Sequence, residues 1–70
     1  MKISARNQLK GIIKSITPGA VNCEVVIEIA AGIDVTAQIT SNSVARLGLK
    51  PGKVAYALVK ADSVMVGVDD

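Results

Sequence analysis

Seventy residues with one cysteine and no histidine exclude a disulfide framework and a structural zinc cage. A single domain over residues 1–70 buries only ~60% of the surface its unfolded chain exposes, so association with further copies is the expected source of stability. The net charge of +2 is mild but uneven, because Lys2, Arg6, Lys10 and Lys14 all precede the first acidic residue, Glu24, making a basic leading edge suited to anions.

From Lys2 to Ile16, Ile3, Ala5, Leu9, Gly11 and Ile13 fall on odd positions and the basic residues on even ones. That alternation predicts a long first strand with one buried and one wet face. Gly11 within it predicts a bend or bulge, and Thr17-Pro18-Gly19-Ala20 predicts a turn. Val21 to Ile29 predicts a second strand, with Val21, Cys23, Val25, Ile27 and Ile29 on one face. Ala30-Ala31-Gly32 then makes a hairpin into a third strand, Ile33 to Ile39, again with odd positions apolar.

The stretch from Thr40 to Gly48 is the one helical segment. Thr40 or Ser41 can cap its first turn, Val44 and Leu47 share a face, and Gly48 can take the left-handed stop. After a Pro51-Gly52 turn, Val54 to Lys60 predicts a fourth strand, with Val54, Tyr56 and Leu58 on an apolar, core-like face. Ala61-Asp62 turns the chain, Ser63 to Val68 predicts a fifth strand, and Asp69-Asp70 is an acidic tail. The order is β-β-β-α-β-β. It predicts an all-β protein, a five-stranded OB-like barrel with one short helix between strands 3 and 4. Half of the residues are hydrophobic, nearly all of them aliphatic. That is more than one small barrel interior holds, so part of the apolar surface is expected between subunits.

Catalysis finds little support. There is no histidine and no thiol with a base, and Glu24 and Glu28 on one strand face stand about 13 Å apart, too far to cooperate. No phosphate-cradling glycine motif occurs, so the chain is not expected to be an enzyme. An OB-type nucleic-acid or protein-interaction module is the alternative. However, base stacking needs aromatic platforms, and Tyr56 is the only aromatic residue. No apolar run approaches the ~18 residues of a membrane span and no signal-peptide core opens the chain. With a lone thiol, a cytoplasmic location is expected.

Binding of a small oxyanion fits better. Ser4 and Arg6, Thr40 and Ser43 at the helix start, and Lys60 with the Ala61-Asp62-Ser63 turn offer guanidinium, ammonium, hydroxyl and amide donors. An all-donor set suits a fully ionised tetrahedral dianion. It disfavours monohydrogen phosphate, whose proton needs an acceptor, unless Asp62 turns inward.

Four blocks carry a family resemblance: Ser4-Ala5-Arg6-Asn7-Gln8-Leu9-Lys10-Gly11; Thr17-Pro18-Gly19-Ala20-Val21-Asn22; Ile39-Thr40-Ser41-Asn42-Ser43 with Leu47-Gly48-Leu49; and Leu58-Val59-Lys60-Ala61 with Ser63-Val64. In content, order and spacing they resemble the Mop proteins, or molbindins. The resemblance implies an OB-like fold, cytoplasmic binding and storage of molybdate or tungstate, and a homo-oligomer, a hexamer built as a trimer of dimers, with sites between subunits. Carried over by position, Ser4, Arg6, Thr40, Ser43, Lys60 and Ala61, with Ser63 close by, form one site class. Gly19, Ala20, Val21 and Asn22 form a second, through backbone N–H groups and the Asn22 side chain. Asn7 and Gln8 are expected to bond backbone, and Cys23 to be inert core.

Overall fold

A computed structural model describes residues 1–69. Its elements are β1 (Asn7–Pro18), β2 (Asn22–Ala30), β3 (Ile33–Thr40), α1 (Ser41–Leu47), β4 (Val54–Val59) and a single 3₁₀ turn, Ala61–Ser63. The strands form one antiparallel sheet in the order β3-β2-β1-β4. The all-β class, the helix between strands 3 and 4 and the first four strands match the sequence expectation.

The fifth strand does not form. Val64 is extended, but Met65, Val66 and Val68 are 93%, 90% and 86% exposed. The turn at Ala61–Ser63, closed by Ser63 N–H donating to Lys60 O at 2.9 Å, carries the tail off the sheet. An isolated extended segment has no ladder to join, and alternation of apolar residues alone cannot supply one. The expected acidic tail is described only at Asp69, since Asp70 lies outside the described residues.

The first strand begins later than expected, at Asn7, and runs to Pro18. It pairs with β4 through its first half (Asn7 opposite Val59, Ile12 opposite Val54) and with β2 through its second (Ile13 opposite Ile27, Pro18 opposite Cys23). The irregularity falls between Ile13 and Ser15 rather than at Gly11. A bulge shifts parity by one, so Ile13 and Ile16, three apart, both reach the core. Gly11 answers a different demand. A Cβ there would collide with the Glu28 carbonyl oxygen and come within 2.8 Å of Ile27 Cγ2. Gly11→Ala is therefore expected to destabilise the protein by about 1–3 kcal/mol through overpacking. In a thermal melt this is a fall of roughly 5–20 °C in a domain of this size.

Ile13, Val25, Ile27 and Ala57 form the buried core, with Ile16, Ile29, Val35, Ile39, Val44, Leu49 and Ala55 packed around it. On β4 the expectation is reversed. Ala55 and Ala57 face inward, while Val54, Tyr56 and Leu58 are 49%, 45% and 38% exposed. The register explains this, because Ala57 lies opposite Leu9 and Ala55 opposite Gly11. Cys23 is buried, its Sγ 3.4 Å from Ser41 Oγ.

Helix α1 closes one end of the curled sheet. Thr40 Oγ1 accepts from Ser43 N–H at 3.1 Å, and Gly48 adopts φ 63°, ψ 37°. There its N–H donates to Ala45 O and that of Leu49 to Val44 O, each at 3.1 Å, satisfying carbonyls a continuing helix would have used. Lys53 Nζ donates to Leu47 O at 2.9 Å and Gly48 O at 3.2 Å, placing a cation at the negative end of the helix. Leu47 is 53% exposed. It lines an apolar trough of about 560 Å³ on the concave side, together with Ile39, Leu49 and Val35.

At the surface of the sheet, Lys14 Nζ donates to Asp34 Oδ2 at 3.1 Å. This hydrogen bond, reinforced by the charge of Asp34, raises the Lys14 pKa above its ordinary 10.5. The small stabilisation it gives is complete below about 10.5 and is lost as pH rises through the raised value.

Candidate functional site

The segment Ser4–Arg6 precedes the first strand and is held by its neighbours. Gln8 Nε2 donates to Ala5 O at 3.0 Å, and Asn7 Nδ2 donates to Val59 O at 3.2 Å, tying the end of β4 to the start of β1. Both amides bond backbone, as expected. Because Asn7 and Val59 are register partners, the residues before one and after the other must lie side by side.

The result is a cavity of about 250 Å³ walled by Ser4, Ala5, Arg6, Lys60, Ala61 and Asp62. One guanidinium, one ammonium and one hydroxyl converge on it. The 3₁₀ turn beginning at Ala61 adds the unpartnered N–H groups that open any helical turn. Among the described residues Arg6 has no acidic partner, whereas Lys60 Nζ stands 3.9 Å from Asp62 Oδ2. No described cluster of three His, Cys, Asp or Glu side chains is suited to a metal cation. The arrangement presents cationic and hydroxyl donors able to hold an anion in water-exposed surroundings.

The remaining predicted residues lie elsewhere in the chain. Thr40 and Ser43 sit at the start of α1, where Thr40 Oγ1 donates to Ser43 Oγ at 2.8 Å. Beside them is the turn Gly19-Ala20-Val21-Asn22, since Asn22 is the register partner of Thr40 and Val21 O accepts from Ser41 N–H at 2.8 Å. This second group therefore combines the whole expected second class with two members of the first. It lies at the Pro18 end of β1, while Arg6 and Lys60 lie at the Asn7 end. A twelve-residue strand spans on the order of 35 Å at ~3.3 Å per residue, so one copy of the chain does not unite the two groups. Ser63 directs its backbone N–H to Lys60 O and is not part of the cavity wall.

Asp62, which the sequence offers as an acceptor only if it turns inward, lines the cavity. Its position in the sequence, inside a turn flanked by donors, was the available signal.

Residues 3–66 match the family model of the TOBE domain. The chain is 52% identical to a probable molybdenum-pterin-binding protein of Haemophilus influenzae, over 99% of this chain and 100% of that protein. It is 48% identical to molybdenum-pterin-binding protein 2 of Clostridium pasteurianum, over 94% and 97% respectively. Among solved structures, MopII of Clostridium pasteurianum superposes with a TM-score of 0.89 at 46% identity, over 96% of this chain and 100% of that one. The cytoplasmic molybdate-binding protein ModG, with molybdate bound, gives a TM-score of 0.92 at 46% identity, over 99% of this chain and 49% of that one. Blocks matched in order, a four-stranded sheet with its capping helix, and this similarity over nearly the full length together place the chain in the TOBE-domain family, among the Mop proteins.

Proposed function

We propose that this protein binds molybdate, and the similar tungstate, as an intact oxyanion and holds it in the cytoplasm as a store or donor for molybdenum cofactor synthesis. The observation that carries this reading is the cavity in which Arg6, Lys60 and Ser4 converge. A dianion of tetrahedral shape offers only acceptors, and these are donors. The molybdate bound to ModG supports the same ligand for a chain so similar.

The proposed protein is a homo-oligomer, a hexamer assembled as a trimer of dimers, with its sites between copies. Two features support assembly. The Val64-Met65-Val66-Gly67-Val68 segment is exposed outside its own chain's sheet, and the apolar trough is open on one side. Seating that segment of one copy in the trough of the next completes a five-stranded barrel and removes both apolar surfaces from water. Assembly also lets Thr40 and Ser43 of one copy approach Arg6 and Lys60 of another, with Ser63 close by. The Gly19–Asn22 turn serves a second class of site. Dividing a dianion between cations of different copies avoids burying uncompensated charge within one.

The test is a melting curve of the purified protein with molybdate, sulfate, phosphate or a short single-stranded oligonucleotide. Ligand at ~100 times its Kd stabilises by about 2.7 kcal/mol. A clear rise is expected with molybdate, little with phosphate and none with the oligonucleotide. A response to the oligonucleotide alone would refute the reading in favour of a nucleic-acid module.

A further inference from the structure

The cavity is not uniformly positive. Among its wall residues Arg6 is without an acidic partner, whereas the Lys60 ammonium lies 3.9 Å from the Asp62 carboxylate. With Arg6, Lys60 and Asp62 together the wall carries a net charge of +1; without the carboxylate it would carry +2. Both members of the pair are largely exposed, at 78% and 76% of their side chains. Such a pair is weakly held in water, and a competing anion can displace one member from the other.

We propose that Asp62 sets the affinity and selectivity of the anion cavity, acting as an internal competitor for Lys60 and as the one anionic acceptor in an otherwise donating wall. The proposal rests on the oxyanion-binding reading above and names a determinant within that site. Its two effects have different chemical signatures. For a fully ionised dianion such as molybdate or sulfate, the carboxylate must first be displaced from Lys60 and then tolerated at close range, where like charges repel. For monohydrogen phosphate the same repulsion is offset, because the anion's own O–H can donate to Asp62. Asp62 therefore weakens the hold on fully ionised anions and narrows the margin by which they are preferred over a protonated one. A protein that must give up its cargo gains from a loosened grip.

The experiment compares the assembled wild-type protein with Asp62→Asn by titration calorimetry against molybdate, sulfate and phosphate at one pH and ionic strength. Asp62→Ser serves as a second variant, and sedimentation confirms an unchanged assembly for whichever variant is used. Asparagine keeps the size of the side chain and removes its charge. The variant is expected to bind molybdate and sulfate about tenfold more tightly, equivalent to ~1.4 kcal/mol, with phosphate affinity unchanged or lower. Equal molybdate affinity in the two proteins, or a parallel gain for all three anions, would overturn the assignment. If the wild-type protein itself takes up none of the three, the oxyanion reading falls and this inference falls with it. Uptake by the wild type with no change in the variants removes only the role of Asp62.

Discussion

Truncation after Ser63 is expected to dissolve the assembly and to abolish anion-dependent stabilisation along with it. The segment removed begins with Val64, Met65, Val66, Gly67 and Val68, four large apolar side chains that the isolated chain leaves in water. Burying a valine or methionine side chain fully contributes ~1.5–3 kcal/mol, so the loss per copy is on the order of 5–10 kcal/mol with Val64 already half buried, comparable to the whole stability of a small domain. Val66→Asp tests the same contact without shortening the chain, because burying a carboxylate against a wall that is mostly aliphatic costs its hydration, and the one lysine there, Lys53, is already bonded to the carbonyls that end α1. Sedimentation velocity should show the assembled species replaced by a smaller one in both variants. An unchanged species would mean that the segment has no part in association and that the trough is covered in some other way.

Arg6→Ala is expected to weaken molybdate binding by about 10–150-fold, the range that corresponds to losing a hydrogen bond to a charged group worth ~1.5–3 kcal/mol. The fold should survive, because the Arg6 side chain is exposed and none of the hydrogen bonds or ion pairs within the described residues uses it. Arg6→Lys should recover part of the loss, since it restores the charge but not the planar fork of donors. Calorimetry with molybdate on the assembled variants measures both. Undiminished affinity in Arg6→Ala would free Arg6 of any part in binding.

How much was legible in the sequence follows from how local each signal is. The caps of α1 depend on Thr40 and Gly48 alone, and both act as read. The inward positions Val25, Ile27, Val35, Ala37 and Ile39 follow from strict alternation along β2 and β3, and the structure places them inside. Alternation fails where register intervenes. On β4 both faces are apolar, so periodicity cannot choose between Tyr56 and Ala57. The choice is made by what lies across the ladder, Lys10 beside Tyr56 and Leu9 beside Ala57. The bulge between Ile13 and Ser15 left no mark in the composition, and the glycine that looked like its cause, Gly11, is instead needed for contact with β2.

The site divides in the same way. Ser4 and Arg6 come together with Lys60 and Ala61 because Asn7 pairs with Val59, a long-range fact that spacing could not reveal. Thr40 and Ser43 belong to the other end of β1 for the equally nonlocal reason that Asn22 pairs with Thr40. The segment Ser63 to Val68 reads as a strand in sequence because its apolar pattern is real. Whether such a pattern becomes a strand depends on pairing with an edge, and within one copy the segment pairs with neither open edge, β3 or β4.

If a molybdate site is completed only when copies of this chain come together, native mass spectrometry of the purified protein with added molybdate will show where the ion resides. Molybdate adducts are expected in whole-number steps on the oligomer, with any monomer in the same spectrum bare. A monomer that carries molybdate by itself, or an oligomer that takes up none, would contradict it.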